Sequence, residues 1–161
     1  MSDLENIFTD IADNKSWDYI QGDESISGRG SSLARTELIR KNLPLLFKAL
    51  DVETYFDCPC GDFHWAKELD LSNVNYIGGD IVGSTIKSNN EKYGSDSVSF
   101  IQVNLVEDKL PTADLILVRD CLQHLCLADV QSVLDNIRSS GTRYLLVNNY
   151  IESDNSEYAK Y

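Results

Sequence analysis

From Asp51 onward the chain switches repeatedly between two hydrophobic periods, and this alternation constrains its fold more than any other feature. Strand-like runs occur at 54–58 (TYFDC), 76–80 (YIGGD), 98–103 (VSFIQV), 114–119 (DLILVR) and 143–148 (RYLLVN). Helix-like segments at 62–70, 83–93 and 126–139 fall between most of them; the last sets Leu127, Val130, Leu134 and Ile137 on one face, with Gly141 as its stop. Repeated β-α-β units with right-handed crossovers imply an α/β protein, its parallel sheet sandwiched by helices. "DLILV" is a continuous apolar run, as a central strand covered on both faces requires. The connection 104–113 carries Pro111 and is short for a helix, so the alternation is weakest there.

Ahead of this core, Leu4, Ile7, Phe8 and Ile11 share one face of a helix expected over 2–14. Residues 15–32 are rich in Gly and Ser and read as a loop. A helical stripe returns over 33–50, with Pro44 inside it, giving either a kinked helix or two short ones. The 161 residues suit one domain: N-terminal helices and a lid segment (1–50), an α/β core (51–149) and a polar tail (150–161).

The net charge of −12 repels phosphate backbones and anionic membranes. A small-molecule substrate is therefore expected ahead of a nucleic acid, and no membrane. No apolar run approaches the ~20 residues of a membrane span. The first ten residues are acidic where an export signal is basic, so a cytoplasmic location is expected. In that reducing compartment the four cysteines, Cys58, Cys60, Cys121 and Cys126, are not expected to form a disulfide framework.

In open parallel sheets ligands bind beyond the carboxyl ends of the strands, where strand order reverses. The polar residues at those ends are Asp57 with Cys58, Asp80, Asn104, and Arg119 with Asp120. Asp80 follows Asp57 by 23 residues, near the spacing at which an acid after a glycine turn accepts ribose hydroxyls. Asn104 offers a donor and an acceptor suited to an adenine edge.

"DCPCGDFHW" (57–65), "YIGGDIVGSTI" (76–86) and "ADLILVRDCLQHL" (113–125), with "GDESISGRGSS" (22–32) upstream, resemble a group of small bacterial proteins among the class I S-adenosylmethionine-dependent methyltransferases. The resemblance spans roughly Trp17 to Asn149. It implies a Rossmann-like α/β/α sandwich with strand order 3-2-1-4-5, methyl transfer to a small acceptor, and S-adenosyl-L-methionine as cofactor. By the same resemblance Asp57, Cys58, Pro59 and Gly61 frame the methionine end. Asp80 takes the ribose, Ile81 and Leu105 flank the adenine, and Asn104 reads its amino group. Arg119 and Asp120 border the transfer site, with Asp120 and His124 as candidates for orienting or deprotonating the acceptor. The glycine-rich pattern of the family retains only Gly61, because Pro59 and Phe63 hold its other glycine positions, and Phe63 is expected to limit backbone approach to a ligand. The two C-terminal strands of the full seven-stranded fold are also missing from the pattern, which implies a shortened version of the fold, a partner or second copy that covers the fifth-strand edge, or a sequence that continues further.

Other readings accompany these. Cys-x-Cys is tight spacing for a zinc site or a redox pair, and small residues filling a crowded turn explain it better. His124 is either a base, since imidazole titrates near neutrality, or a hydrogen-bonded histidine at a helix start. The segment from Trp17 to Ser32 is a lid or a surface loop; as a lid it would bring Arg29 or Arg35 toward the cofactor carboxylate. A cofactor-binding module without transfer, an NAD(P) dehydrogenase and a regulatory subunit are the competing functions.

Overall fold

The computed structural model describes residues 3–14 and 25–149. Residues 15–24, which include Trp17 and Tyr19 of the expected lid, and the tail 150–161 lie outside the described residues. The elements run α1 (Asp3–Asp13), a 3-10 turn (Arg29–Ser31), α2 (Glu37–Leu50), β1 (Thr54–Asp57), β2 (Asn75–Asp80), α3 (Gly83–Tyr93), β3 (Val98–Gln102), β4 (Leu115–Val118), α4 (Leu127–Ser139) and β5 (Tyr144–Val147). The five strands form one parallel sheet in the order β3-β2-β1-β4-β5.

Period-two alternation divides the core. Tyr55, Leu115 and Leu117 face one side with Leu43 and Phe47 of α2 and Ile86 of α3. Phe56, Ile116 and Val118 face the other with Val133 and Ile137 of α4. All four residues of β4 are buried, so "DLILV" is the doubly covered strand its composition predicts. On β2, Gly78 and Gly79 make room for neighbouring rings: a Cβ would fall 2.5 Å from Phe100 and 2.6 Å from Phe56 respectively.

Three segments depart from expectation or settle an alternative. Residues 62–70 form no α-helix but a turn followed by a 3-10 helix at Ala66–Glu68. Gly61 and Phe63 both adopt left-handed backbone there, at φ 55° and 59°, which a right-handed helix cannot contain. Residues 33–50 hold one helix, α2, and Pro44 lies inside it. Burial of Leu43 and Phe47 on either side anchors the turn from which the proline removes a hydrogen bond. Residues 104–113 contain no helix, and Asn104 shapes the turn, accepting from Glu107 and Asp108 N–H through its carbonyl.

Among the described residues β5 pairs with β4, and its Leu145 and Val147 are exposed. No helix among the described residues is long and apolar enough to cross a membrane.

Candidate functional site

Where the chain leaves the paired strands β1 and β4 toward opposite edges of the sheet, a cavity of about 450 Å³ opens beyond the strand tips. Asp57, Cys58, Pro59, Gly61, Asp80 and Ile81 line it from β1, β2 and the turns that follow them. Asn104, Leu105, Arg119, Asp120 and His124 line it from the loops after β3 and β4. The strand-end residues assigned to the cofactor and acceptor thus border one space.

The turn after β1 forms its floor. The Cys58–Pro59 peptide is cis, and Cys60 N–H donates to Gly79 carbonyl oxygen at 2.8 Å. All four cysteines are free thiols; burial pushes Cys58 and Cys60 well above the ordinary thiol range, against a thiolate role. Among the described residues no three His, Cys, Asp or Glu side chains cluster as metal ligands would. Phe63 does not obstruct the cavity. Its ring turns into the aromatic core, 4.8 Å from Tyr76 and 5.0 Å from Phe100 by centroid, because its left-handed backbone aims it beneath the sheet.

The acids differ in environment. Asp57 is fully buried, and desolvation raises its pKa to about 7, against the hydrogen bond from Tyr76 hydroxyl at 3.0 Å and the nearby Arg119 charge. Asp80 accepts from Gly61 N–H and Val82 N–H, each at 3.0 Å, and burial outweighs these bonds in raising its pKa. Asp120 sits at φ 51°. Its Oδ1 accepts from Asn148 Nδ2 at 2.7 Å, its Oδ2 meets Arg119 Nη2 at 2.9 Å, and its N–H donates to Asn148 Oδ1 at 2.8 Å. Arg119 also donates to Gly30 carbonyl oxygen at 2.9 Å and lies over Trp65, 5.9 Å from the ring centroid.

Asn104 turns its amide toward its own loop. Oδ1 accepts from Val106 N–H at 2.9 Å and Nδ2 donates to Glu107 at 3.2 Å, so part of the capacity expected for adenine is already engaged. His124 ends a 3-10 turn, half-buried; desolvation lowers its pKa and Asp120 acts in the opposite sense.

Several lining groups carry no signal in the strand-end pattern. Residues 25–31 dock onto the floor through Asp62, whose carboxylate accepts from Ser25 hydroxyl at 2.9 Å and Ile26 N–H at 2.9 Å. Leu4, Phe8 and Ala12 of α1 complete the wall, and α1 is tied to β3 by Gln102 donating to Glu5 at 2.8 Å. The upstream Gly/Ser motif points to the docked loop and the motif 57–65 ends on Trp65, whereas Asn148, the polar residue after the fifth strand, was not among the strand-end candidates.

Solved structures share this fold. Magnesium protoporphyrin IX methyltransferase (ChlM) from Synechocystis, with bound S-adenosylhomocysteine, superposes with TM-score 0.63 at 13% identity, over 89% of this chain and 69% of that one. The methyltransferase domain of bacterial CtHen1 gives 0.57 at 18%, over 72% and 65%. The N-methyltransferase NodS from Bradyrhizobium japonicum, in complex with S-adenosylhomocysteine, gives 0.51 at 16%, over 66% and 56%. The chain spans somewhat under two thirds of the CtHen1 domain and little more than half of NodS. The likeness is one of fold. No family model and no curated protein matches the sequence.

Proposed function

We propose that the chain binds S-adenosyl-L-methionine in this cavity and transfers its methyl group to a small acceptor. One observation carries the reading: Asp57 and Asp80, from the tips of adjacent strands β1 and β2, border one cavity at the point where strand order reverses.

The residues fit the cofactor. A carboxylate has about four acceptor positions, and Asp80 meets the backbone N–H groups of Gly61, Val82 and Ile81, leaving room for a ribose hydroxyl. Ile81 and Leu105 provide apolar walls for an adenine ring. Asp57, Cys58, Pro59 and Gly61 would hold the methionine end, with Arg119 and Asp120 beside it. The cavity carries both carboxylates and guanidinium groups, which suits a ligand bearing charges of both signs. When bound, the cofactor supplies an electrophilic methyl carbon on a cationic sulfur. The chain's own share is to align the acceptor and to exclude water from the floor. His124, held toward the neutral form by burial, takes the acceptor's O–H or N–H proton on an imidazole nitrogen. Asp120, engaged by Arg119 and Asn148, orients the acceptor rather than taking its proton.

Calorimetry with S-adenosylhomocysteine tests the reading. The parent binds, and Asp80→Asn binds about 1–3 kcal/mol more weakly for loss of charge-assisted hydrogen bonds. Equal affinities remove Asp80 from its role; NADH binding without S-adenosylhomocysteine binding replaces the reading with a dehydrogenase. The engagement of both Asp120 oxygens favours one second reading, a binding module without transfer. Labelled cofactor offered with a metabolite pool separates the two, since a module binds without releasing labelled methyl.

A further inference from the structure

We propose that the acceptor is a small anion, a carboxylate or a phosphate monoester, whose charge is read by Arg29 and Arg35 at the cavity mouth. The inference rests on the cofactor reading above and names the substrate class of the same site.

The chain has 26 acidic and 14 basic side chains, and of the basic ones among the described residues Arg29, Arg35 and Arg119 line the cavity. Arg29, in the 3-10 turn after the docked serines, and Arg35, just ahead of α2, both line the cavity and are both exposed. The Arg and Lys ion pairs within the described residues join Lys41 to Glu37, Arg119 to Asp120, Arg138 to Asp135 and Arg143 to Asp114; Arg29 and Arg35 take part in none. Arg119, by contrast, is committed to Asp120 and to Gly30 carbonyl oxygen.

Position and number favour the acceptor over the cofactor. The acids proposed for the cofactor, Asp57 and Asp80, are buried on the floor, whereas these two guanidiniums are exposed, where an incoming molecule arrives. One guanidinium suffices to pair the cofactor's single carboxylate in two parallel hydrogen bonds, so the second arginine is open to the acceptor. A guanidinium presents a rigid fork of donors that matches a carboxylate or phosphate in two parallel hydrogen bonds, which suits recognition rather than general attraction. Leu4 and Phe8 of α1 line the same cavity and give the anion's carbon skeleton an apolar surface.

The test uses the full chain saturated with S-adenosylhomocysteine and titrated at fixed ionic strength. The probes are phenylacetate and hexanoate, their neutral matches phenylacetamide and hexanamide, and phenyl phosphate to distinguish the two anion classes. The better anion is expected to bind at least about tenfold more tightly than the amides, as charge-assisted pairing implies. Arg29→Gln with Arg35→Gln is expected to erase that preference, with the melting temperature and S-adenosylhomocysteine affinity retained; Arg→Lys at both positions recovers part of it. Equal binding of acids and amides, no binding of any probe, or a preference that survives the double substitution overturns the inference. Loss of S-adenosylhomocysteine affinity in the double variant assigns the arginines to the cofactor carboxylate and also overturns it. Failure of the parent to bind S-adenosylhomocysteine is seen in the first titration, and it strikes the cofactor reading itself.

Discussion

Asp62 and Ser27 hold each other through a reciprocal pair of hydrogen bonds: Asp62 N–H donates to Ser27 Oγ at 2.9 Å, and Ser27 hydroxyl donates to Asp62 Oδ1 at 3.3 Å. The same carboxylate takes Ser25 hydroxyl and Ile26 N–H, so one acid fastens residues 25–27 to the floor of the cavity. Asp62→Ala should lower stability by about 1–3 kcal/mol, the range for losing bonds to a charged acceptor. It should weaken S-adenosylhomocysteine as well, with Asp62→Asn intermediate. Thermal melts and calorimetry check both; a lowered melt with unchanged affinity would make the docked loop scaffold only.

Gly61 is required twice over. Its φ is +55°, and a Cβ there would lie 2.2 Å from Ser27 Oγ. Gly141 shares the left-handed backbone, φ +78°, but a Cβ would meet nothing within 4 Å. Gly141→Ala should therefore cost about 1–2 kcal/mol, the backbone penalty alone. Gly61→Ala should exceed it by roughly 1–3 kcal/mol from overpacking. Denaturant melts of the two variants give the comparison, and equal losses would show that the loop yields freely.

Tyr55 and Tyr76 stack edge to face, 5.6 Å apart, yet their hydroxyls differ. Tyr76 donates to Asp57, whereas Tyr55 hydroxyl is buried with no partner. Tyr55→Phe should be neutral or stabilise the protein by about 1 kcal/mol, because it removes an unsatisfied polar atom. Tyr76→Phe should destabilise it above pH 7 by depriving the ionised Asp57 of its donor. A clear loss of stability in Tyr55→Phe would contradict the absence of a partner.

The pH dependence follows from Asp57, whose pKa is about 7 in the folded chain against an ordinary 3.8. Between those values the folded protein binds the proton that the unfolded chain has lost, so stability from this group falls as pH rises from about 4 toward 7 and then stays level. Asp80 shifts in the same direction. Asp57→Asn carries no ionisable proton, so its stability relative to the parent should increase between pH 5 and pH 8. A difference in melting temperature that stays constant across that interval would show that Asp57 is not held in its protonated form.

The sheet was legible because its signals are local: β-rich runs and apolar periodicity placed the five strands and helices α3 and α4 to within a residue or two. Residues 62–70 misled because their apolar side chains suit a helix, while the backbone of Gly61 and Phe63 obeys contacts with residues far away in sequence. The strand-end polar residues were legible as a set, since parallel topology delivers strand tips to one side. Their individual duties were not, because partners decide them. Asn148 engages Asp120 from the next strand, and Glu107 takes the amide of Asn104.

The two glycines of β2 have a bearing on the rim. Phe56 and Phe100 occupy the volume that side chains at 79 and 78 would fill, so the middle of the strand is braced by its neighbours' rings instead of its own atoms. Asp80 sits one residue beyond that brace, while neither ring reaches the cavity. Trimming either phenylalanine would slacken the mounting of the acid at the end of that strand, and the defect would surface as poor ligand retention traced to a position deep in the hydrophobic interior.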